Sequence, residues 1–336
     1  MNSSRQIKKF ILDNLSHHEK DIIQAAINHF GISRQAIHKH MNNLISAKKV
    51  IAHGNTKGRY YQLMPMVNFS KTIDINNGTT QEILKNFVSI HLKSLPLNIQ
   101  EIFEFSVGAL LNNIFDHASA LKIYLKIYIT HEQAHFILAD NGIGIFDHIR
   151  SGLSLTSNEL AALELAKGDL TTDSNRHSGG ELNTIIKLFD LVTIDSSGKS
   201  LKYSNYDDDW QIAYSLQQKG TRIHLQIEPS SKRTCATIFN RIFKSEEKKI
   251  KIPLNLLDIS EYKIVNSRSQ AKSVLRNIQK FKKIEFDFNK IDLIGPAFAD
   301  ELVRNVKSKN KTASIEWINC NKTVDLLMKR AVNRSN

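Results

Sequence analysis

Three stretches of this 336-residue chain combine residue types that can do chemistry. In IFEFSVGALLNNIFDHAS the spacing of Phe103, Val107, Leu110, Leu111 and Ile114 predicts a helix with one buried stripe. Residues four apart are neighbours on a helix, so Ala109, Asn113 and His117 share an adjoining face. Downstream, AHFILADNGIGIF ends a strand-like run on Asp140 and continues with Gly142 and Gly144. A carboxylate at a strand end offers a hydrogen-bond acceptor, and the glycines beside it let backbone approach a flat ligand closely. Further on come HSGGEL at 177–182 and KGTRIHLQI at 219–227. A lone Asp-x-Gly-x-Gly is as well explained by a tight turn; its company gives it weight.

The elements that must position these residues are one long helix, two strand-like runs (KIYLKIYIT and AHFILAD) and a later strand opening on Gly220 and Thr221. The four motifs, in this order over about 110 residues, resemble the GHKL superfamily, the ATP-binding fold of gyrase, MutL, the ninety-kilodalton heat-shock chaperone and the histidine and anti-sigma kinases. LLNNIFDHA looks like the N-box, DNGIGI the first glycine box, HSGGEL the second, and KGTRIHLQI the closing Gly-Thr strand.

That resemblance implies a Bergerat-type α/β sandwich that binds ATP with Mg2+. Asn113 would coordinate the magnesium ion and Asp140 would accept a hydrogen bond from the adenine amine, with Gly142 and Gly144 shaping the floor. KGDLTTDSNRHSGGEL would be the lid, in which Gly179 and Gly180 offer backbone amides to phosphate near a helix N-terminus. Gly220 and Thr221 would close the phosphate end. The same resemblance places His117, Thr171, Thr172, His177 and Ser178 among the nucleotide-binding residues. One departure concerns the chemistry. GHKL ATPases carry a Glu four residues before the magnesium Asn as general base, and this chain has Ala109 there. Loss of a general base typically costs on the order of a hundredfold to ten-thousandfold, so slow hydrolysis with retained binding is expected. A second is that relatives tend to carry a Gly after the acidic residue of HSGGEL, not before it.

Ahead of this lies a basic module. Residues 1–70 hold ten Lys/Arg against three Asp/Glu, or +7. RQIKKFILDNL and DIIQAAINHF are amphipathic, with Gly31 as a natural stop. Ser33 then reads as the N-cap of a helix whose inward stripe is Ile37, Met41, Leu44 and Ile45. Arg34, Gln35, His38 and Lys39 point outward, and a helix from Ser33 to Ser46 would run on the order of 20 Å, long enough for a DNA major groove. KKVIAHGNTKGRYYQL reads as two short strands around a turn, resembling the wing of a winged helix-turn-helix. In that role Arg34, Gln35, His38 and Lys39 would reach base edges while Lys48, Lys49, Lys57 and Arg59 neutralise phosphates.

Beyond the acidic middle (thirteen basic residues against nineteen acidic over 71–229, or −6), residues 230–336 hold twenty-three against eleven, or +12. Apolar strands alternate there with helical patterns after a basic, helical connector, which predicts an α/β layer with a small, largely parallel sheet. SRSQAK, IGPAFADEL and INCNKTV resemble the STAS-like domain that follows winged-helix and GHKL modules in a largely uncharacterised bacterial family. Anti-sigma antagonists place a phosphorylatable Ser after the central strand of a STAS domain, but Gly295 and Pro296 stand in that neighbourhood. Asp300 and Glu301 read as dipole partners in a first helical turn. Arg268, Gln270 and Lys272 form either a docking surface or a solvated face.

The expected organisation is therefore a multidomain α/β protein: winged helix at 1–68, GHKL domain at 75–229, connector at 230–250 and STAS-like domain at 251–336. No apolar run approaches the roughly 18 residues a membrane helix needs, and no secretory h-region follows the start, so a cytoplasmic protein is expected. Cys235 and Cys320 are far apart without ligand pairs, which argues against a disulfide framework or structural zinc. The functional expectation is an ATP-gated, DNA-binding regulator with double-stranded DNA as partner, a possible homodimer, and a possible protein partner for the STAS-like domain. The rivals are a GHKL ATPase, an anti-sigma-like serine kinase acting on a STAS partner, or a scaffold whose winged helix never meets nucleic acid.

Overall fold

The computed structural model describes residues 4–55, 58–168, 181–243, 249–257, 264–276 and 278–335. Three helices open the chain, α1 (Ser4–Asn14), α2 (Ile22–Phe30) and α3 (Arg34–Ser46), followed by the antiparallel pair β1 (Val50–His53) and β2 (Tyr60–Leu63). Gly31 ends α2 in the left-handed region at φ 65°, and Ser33 caps α3 by accepting from the Ala36 amide at 3.3 Å. The inward stripe Ile37, Met41 and Leu44 closes on Ile7, Ile11, Leu15 and Ile22 in a core of its own.

A central layer follows: β3 (Val67–Asp74), α4 (Thr80–Ile83), α5 (Ser89–Leu92), α6 (Leu97–Asn113), β4 (Lys122–Ile129), β5 (Ala134–Asp140), α7 (Ile145–Gly152), α8 (Asn158–Ala166), α9 (Glu181–Leu188), β6 (Leu191–Ser196), β7 (Lys199–Ser204), β8 (Asp209–Tyr214), β9 (Thr221–Ile227) and α10 (Cys235–Phe243). Its sheet runs β3-β4-β5-β9-β6-β7-β8, with every neighbouring pair antiparallel. Alternation decides the buried face: Ile123, Leu125, Ile127 and Ile129 of β4 point inward, as do Phe136 and Leu138 of β5. Phe103 of α6 meets them, its ring 6.3 Å from Phe136 and 5.2 Å from Phe189.

The C-terminal part contains β10 (Lys249–Pro253), β11 (Ile264–Val265), α11 (Arg268–Val274), β12 (Lys283–Asp287), β13 (Leu293–Ile294), α12 (Pro296–Lys309), β14 (Ser314–Ile318) and α13 (Lys322–Ser335). β10-β12-β14 form a parallel three-stranded sheet, and β11 pairs with β13, also parallel. The molecule is thus a mixed α/β, multidomain protein. One apolar cluster nevertheless runs from Ile73 to Ala331, so packing is continuous across the expected connector, where Phe239 of α10 rests edge-on against Phe105 at 5.1 Å. Polar contacts reinforce that junction. Lys251 Nζ bridges Asp208 at 3.1 Å and Asp287 at 3.0 Å, and Lys290 meets Asp209 at 2.5 Å.

Asp300 and Glu301 are not in a first turn, because α12 starts at Pro296; Glu301 is instead a buried partner of Arg304, Asn305 and Lys272. Gln270 closes a capping box with Ser267, its Oε1 accepting from the Ser267 amide at 3.1 Å, while Arg268 and Lys272 are exposed. Among the described residues, no helix is long and apolar enough to cross a membrane, and no group of three or more His, Cys, Asp or Glu could hold a metal ion.

The first unit meets the central sheet at the β4–β5 turn. Ser16 Oγ donates to Glu132 Oε2 at 3.1 Å and the Met66 amide donates to the Ile129 carbonyl at 2.7 Å, while Glu132 Oε1 is buried with no hydrogen-bond partner. Burial, with the Asp13 and Glu228 carboxylates adding to it and the Ser16 hydrogen bond opposing, pushes the Glu132 carboxyl from 4.5 up to about 7. A carboxyl whose pKa rises on folding binds its proton more tightly in the folded state, so stability is greatest below about 4.5, falls through about 7 and is flat above. Wild-type melting temperature is therefore expected to drop between pH 5 and pH 7.5 more than that of Glu132→Gln; identical slopes in thermal melts would contradict the assignment.

Candidate functional site

Sheet register puts the sequence's candidate residues in one row. Ile123 pairs with Asp140, Ala139 with Arg222 and Ser196 with Thr221, so the C-terminal ends of β5 and β6 flank the start of β9. Asp140 is buried, with 7 % exposure. Its Oδ1 accepts from the Gly142 amide at 2.8 Å and its Oδ2 from the Thr221 amide at 3.3 Å. Thr221 Oγ1 in turn accepts from the Ile145 amide at 2.9 Å, closing a circuit through two loops. Burial raises the Asp140 pKa, and the two backbone hydrogen bonds oppose that rise. Each carboxylate oxygen retains a lone pair for a further donor.

Close backbone approach requires glycine at these turns. A Cβ on Gly142 would fall 2.0 Å from the Ala118 carbonyl oxygen, and one on Gly220 would fall 2.0 Å from that of Asp140. Gly220 also sits at φ 68°, in the left-handed region. The same contacts bring in the end of the long helix, because the Ile143 amide donates to the Ala118 carbonyl at 2.7 Å. Asn113 lies five residues before Ala118 on that continuous helical segment, half-buried, at the same end of the sheet.

Two details differ from helical-wheel expectation. Ala109 is 5 % exposed and belongs to the core, so its methyl is packed and not presented on an open face. After Asn113 the helix widens into a π turn over Ile114–Ala118, which swings His117 round the axis from where an α-helix would place it. His117 then lies beside His148 of α7, with ring centres 5.6 Å apart. Burial, and after it the neighbouring His117, lowers the His148 pKa. Asn141 escaped the sequence reading: its Oδ1 accepts from the Leu121 and Lys122 amides, both at 2.9 Å, and fixes the loop after Asp140. Its signal was an Asx residue directly before glycine. Thr171, Thr172, His177, Ser178, Gly179 and Gly180 lie outside the described residues; α9 begins at Glu181.

On the first unit, Arg34, Gln35 and Lys39 are exposed along α3 and His38 is half-buried between them. Burial, then Arg34 and Arg59, lowers the His38 pKa; burial, then Lys8 and Lys39, lowers that of His40. Arg34 and Arg59 thus gather at His38 and Lys8 and Lys39 at His40, two residues apart on α3 and so on different sides of the helix, and the Arg59 guanidinium covers Tyr61 at 5.3 Å. Lys48 is exposed at φ 52°. At the joint with the central sheet, burial and then Lys49 lower the His131 pKa. Lys57 is outside the described residues.

A family model described as "STAS-like domain of unknown function (DUF4325)" matches residues 270–325, from within α11 into α13. The C-terminal unit is STAS-like. In the STAS-like unit, Gly295 backs onto Asn266, whose backbone a Cβ would meet at 2.9 Å, and Pro296 begins α12. Neither carries a hydroxyl. No curated protein matches the chain.

Proposed function

We propose that the chain is an ATP-binding, DNA-binding regulator in which Mg-ATP at the Asp140 site of a GHKL-type domain governs the packing or pairing of a winged-helix unit. The observation that carries this is the Asp140 carboxylate, held by two backbone amides at the junction of β5 and β9 with acceptor capacity to spare. An exocyclic amine is the donor that such an acceptor selects, at roughly 1.5–3 kcal/mol for a charge-assisted bond. The Asn113 side-chain amide would offer an oxygen ligand of the kind Mg2+ accepts, with the remaining ligands coming from phosphate and water. Gating requires that ATP bind two conformations with different affinity.

The methyl at Ala109 favours binding over turnover, since it takes no proton. Phosphate release from the chain as it stands is expected to be slower than from Ala109→Glu, provided the variant folds around a desolvated carboxyl. Brisk release from the unaltered chain would favour the ATPase or kinase reading.

The exposed basic side chains Arg34, Lys39, Lys48 and Arg59, with Arg34 and Arg59 close to His38, support duplex DNA as the partner. Affinity for duplex is expected to fall steeply with ionic strength, and removing two phosphate contacts by Lys48→Ala with Arg59→Ala should lower the slope of log affinity against log salt by about 2. Fluorescence anisotropy at several salt concentrations reads this, and a slope near zero in the unaltered chain would leave the scaffold reading.

A further inference from the structure

Behind the Asp140 loops lies a layer of side chains that the nucleotide reading does not use. Ser196 ends β6 and is fully buried at 0 % exposure. Its hydroxyl donates to the Gly220 carbonyl at 3.1 Å and lies 3.3 Å from Ser197 Oγ. A Cβ on Gly144 would fall 2.3 Å from Ser196 Oγ and 2.4 Å from Ser197 Oγ, so the glycine loop rests its backbone directly on both hydroxyls. Ser197 stands at φ 50° and is hydrogen-bonded to Asp147 of α7. Asp147 Oδ1 also accepts from Arg150 at 3.0 Å and from Asn158 Nδ2 at 3.3 Å. Burial alone would raise the Asp147 pKa, but these hydrogen bonds together hold it below its ordinary range.

The chain of contacts leads to Asp140 by two routes. Ser196 fixes the Gly220 carbonyl, and the next amide, that of Thr221, holds Oδ2 of Asp140. The Ser196 and Ser197 hydroxyls support Gly144, whose loop begins with the Gly142 amide on Oδ1. Asn158 Nδ2 donates both to Asp147 Oδ1 at 3.3 Å and to the Ser197 carbonyl at 3.5 Å, tying the two together.

We propose that Ser196, braced by Ser197, Asp147 and Asn158, is a positioning residue that fixes the angle of the Asp140 carboxylate and thereby sets discrimination between purines. This rests on the reading of Asp140 as the acceptor for the base. Adenine presents an amine to that carboxylate where guanine presents a carbonyl oxygen, so a rigid acceptor rewards the first and repels the second. With Ser196 reduced to Ala, the Gly220 carbonyl loses its donor and the Thr221 side of the carboxylate loosens, while the Gly142 side stays anchored.

The test uses the full chain. Mg-ATP and Mg-GTP are titrated calorimetrically into wild type, Ser196→Ala and Asp140→Asn. Deuterium exchange at the Gly142 and Thr221 amides is read without nucleotide, with amides of β12 as an internal reference. In Ser196→Ala, ATP affinity should fall about threefold to tenfold, with GTP nearly unchanged and the ATP-to-GTP ratio narrowing by the same factor. Exchange at Thr221 should quicken while β12 is unmoved. Should Ser196→Ala also lose β12 protection, Asp147→Asn is read in its place, with the same expectation. A wild-type ratio and wild-type protection in the serine variant, alongside lost ATP binding in Asp140→Asn, would overturn the positioning role and leave the pocket standing. Wild-type ATP binding by Asp140→Asn would remove both.

Discussion

Replacing Asp140 by Asn is expected to weaken Mg-ATP binding between about tenfold and about a hundredfold, the range corresponding to loss of one charge-assisted hydrogen bond. The carboxylate accepts the Gly142 amide with one oxygen and the Thr221 amide with the other. An Asn side chain has only one acceptor oxygen, so whichever way it turns, its NH2 group faces one of those N–H donors. The substitution therefore removes the charge and also disturbs the two loops that carry it. Calorimetric titration of the full chain measures the effect, with Asn113→Ala as a companion in which only the metal end is altered. Affinity within a factor of two of wild type for Asp140→Asn would refute the pocket.

A change of one methyl should do comparable damage from the backbone side. Gly220→Ala puts a Cβ 2.0 Å from the Asp140 carbonyl oxygen and 2.7 Å from its carbon, at a φ of 68° that an L side chain rarely adopts. Both neighbours are backbone of a central strand pair and have no rotamer through which to yield. A left-handed non-glycine residue and an overpacked contact each cost roughly 1–3 kcal/mol, and together they should lower the melting transition of the central layer by roughly 4–24 °C and abolish ATP binding. Gly31→Ala is the matched control. It has a similar φ of 65° but nothing within 4 Å of the added carbon, so it should cost only the conformational share, about 1 kcal/mol. Differential scanning calorimetry of the two variants separates the clash from the strain; equal losses would mean that the close approach at Gly220 is not limiting.

How far the sequence reached depends on which physical signal each element carries. Periodicity found α6, because Phe103, Val107, Leu110 and Leu111 recur at helical spacing and are all buried. Cap chemistry located the start of α3 at Ser33 and the end of α2 at Gly31, since both residue types act within a single turn. Alternation of strands with helices gave the parallel C-terminal sheet. The strands β7 and β8 were not read: Leu201 with Tyr203, and Trp210, Ile212 and Tyr214, do alternate with polar residues, but over only six residues each and with Lys199 on the apolar face of β7. The π turn that displaces His117 was equally out of reach, because nothing local distinguishes it from one more α turn. Asp140 was recognisable from a strand end followed by two glycines. Ser196 was not, since a serine closing a strand is commonplace and its meaning comes from Gly144 and Gly220, loops far away in the sequence.

The cations that join the central layer to the STAS-like unit make the two hard to separate. Asp208 takes Lys187 at 2.8 Å from its own layer and Lys251 at 3.1 Å from β10, while Asn255 holds the Trp210 carbonyl at 2.6 Å. Leu254 and Leu256, just after β10, are both fully buried. A chain severed ahead of Lys249 would leave two wetted leucines on one fragment and, on the other, an acidic turn that keeps Lys187 but loses Lys251 and Lys290. Each half taken alone should clump, and mixing them under mild conditions should restore a single particle without any covalent link.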